Sequence, residues 1–352
     1  MDFILNGQAH GDMAATLMQA NFDVNALRPY QGADGRSYVT INQGGKPTAV
    51  PLTNAHATLR KDEWIELDKS VVKAALPRLR AVADLRGRGL QYVIPNGMGK
   101  TVLQTESQSD ISDAAISMDG LRESQKDRPE YDLVNLPLPI IHKDFQYTAR
   151  QVMASRNGGS PLDTTGAEQA ARKVAEAAEK LLLGVSDSYT FGGGTIYGYT
   201  NLSGRLTQVL SNPATHTGWT GAHLVQEVLE MRESSTGAHH FGPWVLYASP
   251  SWDQYLDDDY SAAKGDLTLR ERLQKISGIE AITTLDYLED YDMCLVQMTS
   301  DVARMVVGMD ITTLQWETSG GMLLNFKVMA ILVPHLRKDF NGNGGIVHGA
   351  VA

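Results

Sequence analysis

The 352-residue chain carries 31 Lys and Arg against 41 Asp and Glu, a formal net charge of -10, which argues against a surface that grips nucleic acid throughout. Its 42% apolar content can build a core, its length suggests about two domains, and its one cysteine, Cys294, excludes an internal disulfide framework and fits a reducing compartment. The N-terminus (MDFILNGQAHGD) has no basic region and no apolar segment of signal length, and no run approaches the ~20 apolar residues of a membrane span, so a soluble, cytoplasmic protein is expected.

Residues 1–58 are rich in Gln, Asn, Gly and Thr, with scattered apolar pieces. Turn signals flank one predicted strand, Ser37 to Ile41, and the region reads as an extended arm that packs on a neighbouring subunit. From Lys61 to Leu85 the character changes: Trp64, Leu67, Val71, Val72, Ala75 and Leu76 have helical spacing until Pro77 interrupts it. Leu90 to Ile94 is a predicted strand. The chain then turns polar (TESQSDISDAAISMDGLRESQKDRPE) until apolar alternation returns at Tyr131 to Ile141. Strand-like ends around a long polar middle predict a protruding β-arm, because structureless loops of that length are uncommon in compact domains and usually functional.

Phe145 to Ala154 reads as a short helix, broken at Asn157-Gly158-Gly159. The stretch that organises the chain follows, Thr164 to Gly184. Thr165 and Glu168 have capping-box spacing, and Gly184 is placed to close the other end. Ala167, Ala170, Ala171, Val174, Ala178, Leu181 and Leu182 make one apolar stripe, with Glu168–Arg172 and Glu176–Lys180 pairs expected on the polar side. Small residues let a flat surface approach closely, so this helix, roughly 28 Å long, reads as a scaffold.

After a glycine-rich segment (FGGGTIYGYTNLSG) comes a second α/β module. Helices are predicted at Gly221 to Arg232, with Leu224, Val225, Val228 and Leu229 inward, and at Ser251 to Leu256 and Leu267 to Ile276. Strands are predicted at Trp244 to Ala248, Glu280 to Thr284, Met293 to Met298 and Val302 to Val307. The last long strand, Met322 to Val333, is apolar on both faces for much of its length and needs central cover. Helical and strand runs without regular βαβ alternation predict an α+β fold.

Motifs that carry chemistry are incomplete. Asn96-Gly97-Met98-Gly99-Lys100-Thr101 resembles the end of a phosphate-binding loop, but Ile94 stands where the pattern needs glycine, so a turn at the base of the β-arm is expected. Gly192-Gly193-Gly194 lacks dinucleotide-loop spacing. Asp253 with Asp257-Asp258-Asp259 offers oxygen ligands, yet adjacent aspartates diverge on a helix and read as a solvated helix end. His239-His240, with His216 and His223, has no fixed zinc spacing and reads as surface loop. Cys294 lies in an apolar run and reads as a small buried hydrophobe. There is no Gly-x-Ser-x-Gly and no preferred Ser/His/Asp set, so no catalytic residue, cofactor or metal site is expected and the chain reads as structural rather than enzymatic.

The order of these parts resembles the Hong Kong 97-fold shell proteins, the major capsid proteins of tailed bacteriophages and the related encapsulins. Local likeness lies in Asp62-Glu63-Trp64 through Leu85-Arg86-Gly87, in Pro139-Ile140-Ile141 through Phe145, and in the run from Ala170 to Lys180. The resemblance implies an N-terminal arm over 1–60, a β-hairpin E-loop over 91–138 and an axial domain over 217–318. The peripheral domain would take 61–90, 139–216 and 319–352, including a spine helix at 164–184. It also implies self-assembly into hexamers and pentamers of an icosahedral shell enclosing double-stranded DNA without sequence-specific binding, formed in a host bacterial cytoplasm and ending as the virion capsid.

Scaffolding, portal and decoration proteins are the further partners it implies. Nearly sixty residues precede the Trp64 helix, close to which encapsulins look like they begin, and this favours a phage arm. An encapsulin-type shell around cargo protein is the alternative, and a soluble α+β hydrolase the distant one. Lys100, Arg122, Lys126 and Arg128 are the candidate inter-subunit contacts, expected to meet acidic patches on the next subunit. No lysine–asparagine cross-link is expected, and bending is expected at Gly158-Gly159 and Gly192 to Gly194.

Overall fold

The computed structural model describes residues 4–5, 8–9, 30–32, 34, 36–43, 46–51, 59–114, 116–118, 121, 126–158, 163–260 and 267–351. In chain order the first strands are β1 (Ile4–Leu5), β2 (Gln8–Ala9), β3 (Tyr30–Gln31), β4 (Ser37–Gln43), β5 (Lys46–Pro51) and β6 (Gln91–Val93). Then come β7 (Val102–Gln108), β8 (Tyr131–Pro137), β9 (Ile141–Thr148), β10 (Thr190–Phe191), β11 (Gly194–Thr195) and β12 (Leu206–Leu210). The last are β13 (Trp244–Ala248), β14 (Ile279–Thr284), β15 (Met293–Gln297), β16 (Ala303–Thr318), β17 (Leu323–Leu336) and β18 (Ile346–Val351). The helices are α1 (Lys61–Ala75), α2 (Arg80–Gly87), α3 (Ala149–Gly158), α4 (Thr165–Leu183), α5 (Gly221–Gly237), α6 (Asp253–Leu256) and α7 (Leu269–Gln274). The fold is α+β, and its contacts divide into two units.

The first unit holds Met1–Thr101, Leu138–Ser186 and Arg304–Pro334. Its main sheet runs β6-β16-β17-β9, with β6 parallel to β16 and β9 antiparallel to β17. Along β17 burial alternates as far as Lys327 and is then continuous from Val328 to His335, so the doubly apolar strand has the cover its composition requires. α4 packs on β9, α1 and α2. Ala167, Ala170, Ala171, Val174, Ala178 and Leu182 are buried as the stripe predicts; Ala175, Glu179 and Leu183 join them, while Leu181 is only half-buried. Pro77, with no N–H to donate, ends α1 in a single 3-10 turn, Leu76–Arg78, before α2 restarts. β3, β4 and β5 form an antiparallel sheet, so the single strand expected near Ser37 is one of three.

Local readings of the helix at Phe145, of the α4 cap and of the strand after Val302 are corrected here. Phe145 to Thr148 is strand, not helix: Phe145 and Tyr147 point alternately into an aromatic core, with Phe145 stacked on Phe326 at 5.1 Å and Trp64 edge-on to Phe326 at 5.9 Å. The Thr165–Glu168 capping box does not form, because Thr165 is already the first helical residue. Asp163 Oδ1 instead accepts from Thr165 N at 3.0 Å, and Thr164 Oγ1 donates to Glu168 at 3.3 Å. Glu176 pairs with Arg172 at 3.6 Å and Lys173 at 2.8 Å. The strand expected to stop at Val307 continues to Thr318.

The second unit holds Val102–Pro137, Asp187–Ala303 and His335–Ala352. Its five-stranded sheet runs β12-β18-β15-β13-β14, mixed in direction: β12/β18 and β13/β14 are parallel, β13/β15 and β15/β18 antiparallel. One face, through Leu246, Leu295 and Val347, joins a core with Leu224, Val228 and Met231 of α5 and with Trp252. Cys294 is fully buried, and burial pushes its thiol pKa up. His239 is exposed at φ +63, as a surface loop predicts. His240 is not: it is buried, its Nε2 4.0 Å from Asp339 Oδ2.

Candidate functional site

Between Val102 and Pro137 the chain makes a two-stranded antiparallel arm, paired in unbroken register from Val102↔Pro137 to Gln108↔Tyr131. Ser109 and Glu130 extend it by two hydrogen bonds, each 2.9 Å. A lone two-stranded hairpin is marginal in water, so its root must be held and its faces covered. The root is held by the β10/β11 hairpin. Gly192 and Gly193 turn this hairpin at φ +60 and +76, a region costly to other residues. Asn135 Nδ2 donates to the Gly192 carbonyl at 2.9 Å, and β11 approaches β8 so closely that a Cβ on Gly194 would lie 2.0 Å from the Asn135 oxygen. The glycine run is therefore a clamp.

Before β7, within the first unit, Asn96 adopts a left-handed conformation and Gly97–Gly99 form a 3-10 turn, as the incomplete phosphate-loop pattern suggested. Gly97 lies against the backbone of Gly308, where a Cβ would sit 2.3 Å from the carbonyl oxygen. Lys100 follows this turn in extended, exposed backbone.

Outward from the root the arm sheds its cover. Leu136 is buried, whereas Leu133 is 60% and Tyr131 64% exposed. At the tip Ile116 and Met118 are fully exposed and Leu121 is 83% exposed. Asp127 Oδ2 accepts from Ser112 N at 2.9 Å and ties the two limbs together. Lys126 and Arg128, on either side of Asp127, are exposed; Arg122 lies outside the described residues. Of the four basic candidates, Lys126 and Arg128 thus share the tip, and Lys100 belongs to the turn before β7.

Sequence reasoning missed the apolar tip. Ile111, Ile116, Met118 and Leu121 stand singly among Ser and Asp, without a period, and the available signal was large apolar residues inside a stretch too polar to bury them. The aspartate cluster is largely spoken for: Arg270 donates to Asp253 at 2.7 Å and to Asp257 at 2.8 Å. His223 Nδ1 accepts from Thr220 N at 3.0 Å, capping α5.

Residues 54–349 match a family described as "Family of unknown function (DUF6260)". The chain belongs to this family. It is also 28% identical to the Type 1 encapsulin shell protein EncA of Myxococcus xanthus (strain DK1622) over 207 residues, 56% of this chain and 64% of that protein, so it matches less than two thirds of that relative's length. The virus-like particle from Pyrococcus furiosus superposes with a TM-score of 0.55 at 17% identity, over 81% of this chain and 100% of that one. The capsid of Myoviridae Phage XM1 superposes at 0.59 with 9% identity, over 75% and 90%. The DUF6260 chain has the Hong Kong 97-type capsid fold. Its strands β3, β4 and β5 precede the matched span.

Proposed function

We propose that this protein is a shell subunit, the major capsid protein of a tailed bacteriophage, assembling as hexamers and pentamers into an icosahedral shell around double-stranded DNA. The observation that supports it is the β7–β8 arm: a hairpin clamped at its root, bare along its faces and apolar at its tip, on a capsid-type fold. In this reading the arm is the E-loop, α4 the spine helix of the peripheral domain and the β13–β15 sheet the axial domain. The arm gains its cover from the next subunit, so ordering is coupled to assembly, and obligate interfaces of this kind often exceed ~2,000 Å². Lys100, Arg122, Lys126 and Arg128 meet acidic patches there. A subunit of net charge -10 encloses DNA without gripping its phosphates everywhere. Scaffolding, portal and decoration proteins are the further partners.

An encapsulin-type compartment around protein cargo is the second reading, favoured by the identity to the encapsulin shell protein. The β3–β5 sheet ahead of the Trp64 helix favours the capsid. Electron microscopy of native particles, with ultraviolet absorbance reporting nucleic acid against protein, tests both. Closed shells or five- and six-subunit rings with packaged DNA support the capsid, and shells with protein inside and no DNA support the compartment. A uniform small oligomer at every concentration and salt refutes the shell.

A further inference from the structure

In the second unit, residues 211–220 carry the chain from the end of β12 into α5, and an imidazole fastens this loop where it meets the helix. Thr220 N donates to His223 Nδ1 at 3.0 Å, and Thr220 Oγ1 lies 3.0 Å from the same nitrogen. Just before it, Trp219 N donates to the His216 carbonyl at 3.2 Å, and the Trp219 ring packs 5.2 Å from Tyr255 and 6.0 Å from Trp252. The other end of the loop is held by Glu227, whose Oε1 accepts from Ser211 N at 2.8 Å and from Ser211 Oγ at 2.6 Å.

A ring nitrogen accepts a hydrogen bond only while it carries no proton. A proton on Nδ1 can be given to Thr220 Oγ1, but the Thr220 N–H is then left facing a donor. Two further effects act in the same direction. The first turn of α5 holds no Asp or Glu, so a charged ring there meets the positive end of the helix dipole unopposed. The His216 ring stands edge-on to His223 with centroids 5.3 Å apart, and both are exposed, so two imidazolium charges would share one corner of the surface. The other titratable and charged groups at this corner are few. Glu227, one turn along α5, is committed to Ser211; Tyr255 lies against Trp219; Tyr260 packs on Gly221, with Arg272 5.9 Å above its ring.

We infer that the His216–His223 pair is a proton-operated release for the 211–220 loop. With His223 neutral its Nδ1 holds Thr220; with His223 charged the hold is lost, and the loop with Trp219 leaves the start of α5. Histidine is the side chain whose charge ordinarily changes between about pH 5 and pH 8, so the release works over that interval. The inference does not depend on the shell reading.

The test is amide exchange of the full chain at pH 8 and pH 5, resolved at Thr220, corrected for the intrinsic pH dependence of exchange, with circular dichroism checking the fold. In the parent, protection at Thr220 falls about tenfold on acidification, the size of a lost helix cap. His223→Gln and His223→Glu each keep an acceptor at the same helix position without an imidazole, and in them protection at pH 5 matches that at pH 8. His216→Gln retains the acid loss but makes it smaller. Equal protection of the parent at the two pH values overturns the inference. So does an acid loss that persists in both His223 variants, or one that Glu227→Gln abolishes.

Discussion

Glu179 should make the first unit sensitive to pH through a single carboxyl. It is 2% exposed on α4, and its Oε1 accepts from Ala81 N at 2.6 Å while Oε2 accepts from Val82 N at 3.3 Å. These are the open donors at the start of α2, whose N-cap residue, Leu79, offers no side-chain acceptor. The organising helix therefore caps its neighbour. Burial pushes the Glu179 pKa up from 4.5 to about 7, against the Ala81 and Val82 N–H groups, which favour the charge. A shift of that size corresponds to about 3 kcal/mol between the two protonation states.

Below the unfolded value of 4.5 the carboxyl is protonated in both states and its stabilisation is fully present. As pH rises through about 7 the folded chain must hold a buried charge, and that stabilisation is lost. Glu179→Gln removes the titration but keeps an acceptor oxygen. Its stability relative to the parent should therefore rise between about pH 5 and about pH 8, by up to about 3 kcal/mol. Glu179→Ala removes both acceptors and should cost about 2 kcal/mol near pH 5, where the charge penalty is absent. Denaturant unfolding at the two pH values measures both effects, and hydrogen exchange at Ala81 and Val82 reports the cap directly. A parent-to-Gln difference independent of pH, or an alanine variant as stable and as protected as the parent near pH 5, refutes the reasoning.

Reversing the charge of Lys100, Lys126 and Arg128 together should lower shell yield in assembly assays while circular dichroism of the subunit is unchanged, because all three are exposed. Replacing Ile116, Met118 and Leu121 by serine should also reduce assembly, with subunit stability altered by no more than about 0.5 kcal/mol per site; unchanged yield would remove the tip from the interface. Gly194→Val places side-chain atoms inside the Asn135 carbonyl and should loosen the arm root, seen as faster proteolysis between Val102 and Pro137. Phe326→Ala opens the aromatic core beneath α4, where Trp64, Phe145 and Tyr147 all meet that ring, and should cost about 3–5 kcal/mol in unfolding measurements.

What the chain shows before folding is what its neighbours in sequence decide. The 3.6-residue stripe of α4, the break of α1 at Pro77 and the two-faced burial of β17 each follow from a dozen consecutive residues, and each is found in place. The exceptions depend on distant partners. Phe145 to Thr148 passes for helix until β17 supplies a ladder. Glu179 looks like a polar-face residue beside Glu176 and Lys180; the N–H groups of Ala81 and Val82, 98 and 97 positions away, make its burial tolerable.

The arm divides the same way. Only β8 of its two strands was legible, from the alternation that begins at Tyr131; β7 falls in the stretch that reads as polar, and the strand expected at Leu90 to Ile94 pairs with β16 instead. The meaning of the middle was not legible, because polar sequence reads identically whether it is a disordered loop or a surface awaiting a partner. Exposure decides between them. Ile116 and Met118 stand wholly in solvent on a hairpin whose root is fixed by a glycine clamp with no tolerance for a Cβ. A chain with no use for the tip would gain nothing from holding its base so closely. The clamp therefore argues that the apolar tip is presented, and a presented apolar surface calls for a second molecule to cover it.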